Sequence, residues 1–285
     1  MTQTKQKVQE RITSNPGDLP RSPIISSALR LENLSVRFGE AIETVALDRV
    51  SLEIEPGNFV VVLGPSGCGK STLLNVIAGF EPPTSGRVEV DGKKVSKPSP
   101  DRSVVFQQHS LFPWMTALEN VSFGLRMLGK ADATDRAKHY LGMVGLSEIG
   151  DRYPHQLSGG MQQRVGLARA LVVEPKVLLM DEPFGALDAQ TRVLMQEQLV
   201  KLWEEWRHTV VFVTHDIDEA LFLADQVIVM GVKPNSIRCV FDIEIPRPRG
   251  RESRLNENYQ QLYQELFGLI RQESLKSFKS LGSDL

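Results

Sequence analysis

The feature that most constrains the fold is a glycine-rich run that directly follows a short apolar segment. The segment from Phe59 to Leu63 has the length and composition of a buried strand. The run that follows is Gly64-Pro65-Ser66-Gly67-Cys68-Gly69-Lys70-Ser71-Thr72, which matches the pattern G-x-x-x-x-G-K-[ST]. Glycine lets the backbone curl tightly enough for successive N–H groups to point at phosphate oxygens. The pattern therefore predicts a strand–loop–helix unit that binds a nucleoside triphosphate.

The polar groups of this loop have predicted tasks. Lys70 adds a positive charge beside the β- and γ-phosphates, and Ser71 places its hydroxyl on Mg²⁺. The helix that begins at Lys70 presents its positive dipole end to the bound anion. A chance match is the competing interpretation, and the strand before the loop and the helix after it argue against that.

A second apolar strand, Val177-Leu178-Leu179-Met180, ends in the two carboxylates Asp181 and Glu182. The carboxyl ends of buried parallel strands are where α/β proteins bind ligands, so both acids are expected at the nucleotide site. Asp181 is the candidate to hold Mg²⁺ through water, and Glu182 is the candidate general base for the attacking water. The plainer alternative is a solvated turn stopped by Pro183.

The segment Leu157-Ser158-Gly159-Gly160-Met161-Gln162-Gln163-Arg164 opens a predicted helix that runs from Met161 to Val173 and stops before Pro175. The backbone N–H groups of Ser158, Gly159 and Gly160 would form an anion site at the start of that helix. Taken alone, the same residues describe an ordinary N-cap with a glycine hinge.

With this segment the chain resembles the ATP-binding cassette family, whose signature is matched by LSGGMQQR. The other family elements follow in order from about Leu29 to Met230. Phe38 matches the aromatic ring that stacks on adenine, and Gln107 matches the Q-loop glutamine near Mg²⁺ and the attacking water. The run Gly185-Ala186-Leu187-Asp188 matches the D-loop, with Asp188 at the nucleotide. His215 matches the switch histidine at the γ-phosphate. Any of these would be weak evidence alone, and their order and spacing carry the argument.

The resemblance implies an α/β P-loop NTPase fold: a RecA-like core, an antiparallel β-subdomain and an α-helical subdomain that carries the signature. It also implies that two chains sandwich two ATP molecules, each held by the phosphate loop of one chain and by Ser158, Gly159 and Gly160 of the other. Because Glu182 is present, a working ATPase is expected rather than a degenerate nucleotide sensor.

Within the family, three segments resemble the ATPases of nitrate, sulfonate, taurine and bicarbonate importers. They are the run 79–86, the segment Leu111-Phe112-Pro113-Trp114 and the tail Ile245-Pro246-Arg247-Pro248-Arg249. The partners implied are transmembrane permease subunits, a periplasmic or lipoprotein solute-binding protein and a second ATPase chain. Phe112 and Trp114 would suit a hydrophobic socket for the permease, or would simply cover the helical subdomain.

Two other functions stay open on the sequence alone: a cassette ATPase of DNA repair or chromosome maintenance, and one that works a membrane complex without transport. A net charge of −2 and the lack of a basic stripe argue against nucleic acid as a partner.

The chain is predicted to have three regions: a flexible polar tail over 1–28, the ATPase domain over 29–244, and a basic linker with an amphipathic helix over 245–285. No stretch approaches ~18 consecutive apolar residues. With two cysteines the chain fits a reducing compartment. The resemblance to importer ATPases implies a peripheral position on the cytoplasmic face of the membrane. Cys68 is expected to be open to solvent and to alkylation, with ATP protecting it.

Overall fold

A computed structural model describes residues 27–39, 44–107, 110–185, 187–232 and 236–282. The strands are β1 (Leu29–Phe38), β2 (Thr44–Ile54), β3 (Phe59–Leu63), β4 (Ser85–Val90), β5 (Lys93–Lys94), β6 (Arg102–Val105), β7 (Val177–Asp181), β8 (Thr209–Thr214), β9 (Gln226–Met230) and β10 (Ile237–Asp242). The helices are α1 (Lys70–Ala78), α2 (Ala117–Met127), α3 (Ala133–Met143), α4 (Gly159–Leu171), α5 (Ala189–Trp206), α6 (Ile217–Leu223) and α7 (Glu257–Gly282).

The strands form two sheets. The larger has the order β10-β9-β3-β8-β7-β6, and all its neighbours pair in parallel except the antiparallel edge strand β10. The smaller sheet is antiparallel, with the order β2-β1-β4-β5. The predicted α/β fold, with its β-rich edge, is confirmed.

The central strand β3 shows why both of its faces are apolar. Phe59, Val61 and Leu63 point into a core that includes the helical subdomain and α5 to α7, while Val60 and Val62 point into a core shared with α1 and the antiparallel sheet. Because side chains alternate along a strand, an unbroken apolar run places side chains in both cores at once. The phosphate loop that follows β3 is therefore anchored at the centre of the molecule.

The helical subdomain consists of α2, α3 and α4, which pack on one another. Helices α2 and α3 precede the signature segment in the chain. Helix α4 begins earlier than predicted, because Ser158 is its N-cap and accepts a hydrogen bond from the Met161 N–H at 3.3 Å.

Residues 1–26 of the expected tail lie outside the described part of the chain, and Ser27, which was also assigned to the tail, is fully buried. The Thr209 hydroxyl donates to the Ser27 carbonyl at 2.7 Å, and the Ser27 hydroxyl donates to Asp91 Oδ2 at 2.8 Å. Ser27 is thus part of the folded domain.

The segment expected to be a basic linker is packed into the same core. Ile245 is buried, and the Arg249 side chain, only 6% exposed, donates to backbone carbonyls at the end of α6. Those acceptors are Leu221 O at 2.9 Å, Phe222 O at 3.4 Å and Ala224 O at 2.5 Å, with Ile245 O at 3.0 Å and Ile243 O at 3.3 Å on the linker side. Arg249 therefore caps a helix C-terminus, where a cation is favourable and the last carbonyls lack helical partners.

The predicted amphipathic helix is α7, and its apolar side packs back on the core as expected. Tyr259 and Leu266 are buried there, and the Tyr259 hydroxyl donates to Asp218 Oδ1 of α6 at 2.6 Å. Phe267 of the same helix is 47% exposed and stacks on Tyr263. Among the described residues, no helix is both long and apolar enough to cross a bilayer.

Candidate active site

The phosphate loop lies between β3 and α1 with its backbone pressed against two neighbouring carbonyl groups. A Cβ on Gly64 would come within 2.6 Å of the Met230 oxygen, and one on Gly69 within 2.6 Å of the Ala46 oxygen. Gly69 also has a φ of +104°, a conformation that side-chain-bearing residues rarely adopt. These two positions therefore require glycine for space, and Gly69 also for backbone conformation.

Lys70, the first residue of α1, is buried and folds back along the loop. Its Nζ donates to the carbonyls of Gly64 at 2.8 Å and Pro65 at 3.0 Å. Ser66 and Gly67 form the exposed crown of the loop, and Thr72 is half-buried in the first turn of the helix. The loop thus combines a helix N-terminus with a fixed ammonium group, which is the chemistry that holds phosphate.

The expectation that Cys68 is open to solvent is wrong. Its side chain is only 2% exposed, because it points inward and would touch a Cβ placed on Gly64. Burial raises the pKa of the Cys68 thiol, so little of the reactive thiolate forms at neutral pH. The position in the loop is consistent with the motif, but the thiol is shielded by packing.

The acid pair stands at the end of β7, at the sheet edge where β3 and β8 also end; Asp181 is the last residue of the strand and Glu182 follows it. The Ser71 hydroxyl lies 3.3 Å from Asp181 Oδ1. Burial of Asp181 raises the pKa of its carboxyl, and the neighbouring Glu182 adds to that shift. A half-buried carboxylate beside a hydroxyl is an oxygen-donor pair of the kind that Mg²⁺ prefers, so the residues present fit the predicted metal.

Glu182 is held by two side chains from other loops. Gln107 Nε2 donates to Glu182 Oε2 at 3.5 Å, and His215 Nδ1 lies 3.3 Å from the same oxygen. His215 follows β8 and Gln107 follows β6, so the ends of adjacent parallel strands bring the three together. The predicted catalytic residues therefore form one contact group at the carboxyl edge of the sheet.

The backbone at Glu182 is also unusual. Its φ of +43° lies in the left-handed region, which costs a non-glycine residue on the order of 1–3 kcal/mol. The Glu182 N–H donates to the Val213 carbonyl at 3.0 Å, and the Gly185 N–H donates to the Glu182 carbonyl at 3.1 Å. Two backbone hydrogen bonds thus hold the turn that aims this carboxylate away from the strand.

A small cavity of about 40 Å³ lies behind Glu182 and contains groups that the sequence analysis did not single out. Its lining includes Arg192, Asp216 and Glu219. Glu219 is buried and accepts a hydrogen bond from Gln196 Nε2 at 3.0 Å, and burial raises the pKa of its carboxyl. Glu219 lies four residues after His215, in a segment that matches none of the motifs, so the sequence gave no local signal of its buried position beside the site.

Phe38 lies at the end of β1, opposite Thr44 of β2. It is 41% exposed, and the same sheet reaches the phosphate loop through the Ala46 carbonyl. An exposed ring at this end of the sheet is suited to stacking on a flat base. Residues 40–43, which follow it, lie outside the described part of the chain.

The signature residues lie in a different concavity. Ser158, Gly159 and Gly160 line it together with Asp188 and Thr191, whereas no residue of the phosphate loop does. Asp188 caps α5 by accepting from the Gln190 and Thr191 N–H groups, and these hydrogen bonds, first of all with Thr191, lower the pKa of its carboxyl. Ala186, between the D-loop residues, lies outside the described residues. Two helix N-termini therefore converge on this concavity.

The aromatic segment after Gln107 is held by a buried amide. Asn120 accepts from the Phe112 N–H at 2.8 Å and donates to the carbonyls of Phe112 at 3.1 Å and Met115 at 3.0 Å. Phe112 is only half exposed and packs on Phe123, whereas Trp114 is 69% exposed. Of the two aromatic residues predicted to face a partner, Trp114 is the one that presents its ring to solvent.

Taken together, a phosphate loop after a central parallel strand and an acid pair at the end of a nearby strand define a P-loop nucleoside triphosphatase. Comparison with known proteins narrows this class. The ABC transporter family model matches residues 47–185.

Two relatives and one solved structure illustrate the match. A taurine import ATP-binding protein of Rhizobium johnstonii is 50% identical over 225 residues, which cover 77% of this chain and 85% of the relative. A nitrate import ATP-binding protein of Synechococcus elongatus is 49% identical over 232 residues, which cover 79% and 85%. The dimeric post-hydrolysis state of an ATP-binding cassette bound to ADP and Pi is similar with a TM-score of 0.66 at 37% identity, covering 78% of this chain and 99% of that one. The chain belongs to the ABC transporter family and is an ATPase.

Proposed function

We propose that this chain is the ATP-hydrolysing subunit of an importer for a small anion of the nitrate, sulfonate or taurine, or bicarbonate class. Two such chains close on ATP and work a separate transmembrane permease. The observation that carries the proposal is the contact of Glu182 with Gln107 and His215 beside the phosphate loop, at 3.5 and 3.3 Å.

In the proposed reaction, Glu182 accepts a proton from the water that attacks the γ-phosphate of ATP. Gln107 and His215 both approach Glu182 Oε2, and they fix the orientation of this carboxylate. Lys70 and the N–H groups of the loop bind the β- and γ-phosphates. Bound Mg²⁺, held through Ser71, Asp181 and Gln107, would supply charge neutralisation at the phosphates.

The proposed dimer follows from the separation of the two anion sites. Ser158, Gly159 and Gly160 line a concavity with Asp188, and no residue of the phosphate loop contributes to it. A second copy could place its signature concavity over the phosphate loop of the first, which would complete the γ-phosphate site from both chains. ATP would then stabilise the closed pair, and hydrolysis would release it.

The proposed permease contact uses the loop after Gln107. Trp114 is exposed, and the stacked pair Phe80 and Phe106 is 49% and 40% exposed, with ring centroids 6.1 Å apart. Asn120 holds the backbone of this loop by hydrogen bonds, so a displacement of Trp114 by the permease would be transmitted to the helical subdomain. The relatives named for taurine and nitrate import support an anion as the solute. In the proposal, a periplasmic or lipoprotein solute-binding protein delivers this anion, and the chain lies on the cytoplasmic face of the membrane.

The test is an affinity pull-down of the tagged full chain from detergent-solubilised membranes of its source cells, with partners identified by mass spectrometry. The expected result is a polytopic membrane subunit together with a solute-binding protein. Trp114→Ala should reduce the yield of the membrane subunit, whereas Leu255→Ala, which removes a side chain that is 82% exposed elsewhere, should not. Recovery of only soluble or DNA-associated proteins would contradict the importer.

A further inference from the structure

The C-terminal helix carries a buried acid that no catalytic step uses. Glu273 of α7 is 4% exposed. Its Oε2 accepts from the Val232 N–H at 3.0 Å and from Arg238 Nη2 at 3.1 Å, and its Oε1 accepts from Lys276 Nζ at 2.5 Å. Although burial opposes it, these hydrogen bonds, led by those from Lys276 and Arg238, lower the pKa of the Glu273 carboxyl. The group is therefore an anion fixed between α7 and the end of β9.

The backbone that Glu273 holds is the backbone behind the phosphate loop. Val232 follows Gly231, where a Cβ would overlap Arg238 and Glu273, so this turn has no room to shift toward α7. Met230, immediately before, presents the carbonyl that would lie 2.6 Å from a Cβ on Gly64. Three consecutive residues thus connect the carboxylate of α7 to the first glycine of the loop.

The other end of the loop is tied to the same turn. The Gly231 N–H donates to the Ser236 carbonyl at 3.0 Å, and the Asp48 N–H donates to the Ser236 hydroxyl at 3.0 Å. Two residues before Asp48, the Ala46 carbonyl faces Gly69. Gly64 and Gly69, the two loop positions that have no room for a side chain, therefore rest on backbone that converges near Ser236.

The charge of Glu273 also reaches the loop. Burial dominates the raised pKa of the Cys68 thiol, and the carboxylate of Glu273 contributes a smaller shift in the same direction.

We propose that Glu273 and Arg238 are positioning residues for the phosphate loop, through which the C-terminal helix sets the affinity of this chain for ATP. The inference extends the proposed function from the site itself to the element that supports it. A loop that already holds its N–H groups in the bound geometry loses less conformational freedom when phosphate binds. Releasing the turn at Val232 would therefore weaken ATP binding without touching the groups that act on water.

The experiment measures the Kd for ATP and the steady-state KM and kcat of Glu273→Gln in the full chain. Coupling through a supporting network is typically worth a change of roughly 3- to 30-fold in affinity. We expect Kd and KM to rise within that range while kcat stays within about twofold of the wild type. Glu265→Gln, the same change at an exposed position of α7, is the matched control and should leave Kd, KM and kcat unchanged.

A second variant separates positioning from general stability. Arg238→Gln should raise the Kd for ATP by a similar factor. The Kd of the double variant should be no higher than that of the single variant with the higher Kd, because both changes break one network. If Glu273→Gln folds poorly, Arg238→Lys, which keeps the charge but loses the planar fork, gives a milder test.

The outcomes are distinct. If the variants lower the thermal midpoint but leave Kd at the wild-type value, α7 merely packs and the positioning role is overturned. The wild type is measured first: if it does not bind ATP, the proposed function fails and the positioning role fails with it. Normal wild-type binding with unchanged variants overturns the positioning role alone.

Discussion

Replacing Arg249 with methionine tests whether the C-terminal segment is an integral part of the domain. The guanidinium is 6% exposed and donates to three carbonyls at the end of α6, the helix that begins two residues after His215. Burial, with added repulsion from Arg247, lowers the pKa of Arg249 to about 10. The charge is therefore held against a desolvation cost, and the net contribution is smaller than the sum of its hydrogen bonds.

The magnitude follows from these opposing effects. A hydrogen bond to a charged group contributes about 1.5–3 kcal/mol, and each buried acceptor left without a donor costs about 1–3 kcal/mol. The desolvation penalty of the buried guanidinium, several kcal/mol, opposes these hydrogen-bond contributions. The expected net loss in the free energy of unfolding is roughly 3–5 kcal/mol. With an unfolding entropy of about 2.1 cal/mol/K per residue, a chain of 285 residues should lose roughly 5–8 °C in thermal midpoint.

The assay is thermal unfolding of Arg249→Met by calorimetry, beside Arg271→Met as control. Arg271 is exposed on α7, and surface changes of this kind are usually within about 0.5 kcal/mol, or roughly 1 °C here. If Arg249→Met and Arg271→Met unfold at the same temperature, the capping role assigned to Arg249 is wrong.

Three further predictions concern the nucleotide site. Lys70→Ala should abolish detectable ATP binding in a fluorescence titration while the fold persists by circular dichroism, because the loop loses its fixed positive charge; ATP binding at wild-type affinity would contradict the role. Glu182→Gln should lower kcat by roughly 10²- to 10⁴-fold with little change in the Kd for ATP, the size expected for loss of a general base; an unchanged kcat would exclude Glu182 as that base. Cys68 in the native chain should react with iodoacetamide far more slowly than in urea, as followed by peptide mass spectrometry, because the thiol is 2% exposed and the pKa of its thiol is raised; equal rates would show that the loop opens readily.

The parts of the fold predicted from sequence are those fixed by local patterns. The buried strand before the phosphate loop, the strand ending in Asp181 and the helices of the signature subdomain follow from apolar runs, helix formers and capping residues. The resemblance to the ATP-binding cassette family implied roles for Gln107 and His215 at the site of Glu182. The structure brings the three together where adjacent parallel strands end.

The parts that sequence could not predict depend on contacts between distant segments. Cys68 lies between two glycines of the phosphate loop, which gives no sign of burial in the sequence, and only its 2% exposure and its approach to Gly64 show that its side chain points inward. Arg249 reads as one cation of a basic, proline-rich run, and its burial becomes visible only when α6 presents its terminal carbonyls. Glu273 is one charge among several on α7, and nothing in its neighbourhood in sequence indicates the turn at Val232 that it binds.

The most direct test of the account is the oligomeric state of Glu182→Gln, measured by light scattering with size-exclusion chromatography at millimolar ATP. The account predicts that this variant, which binds ATP but does not hydrolyse it, is trapped as a dimer, and that adding Ser158→Arg to fill the signature concavity returns it to monomer. A Glu182→Gln chain that stays monomeric at millimolar ATP would contradict the two-chain site.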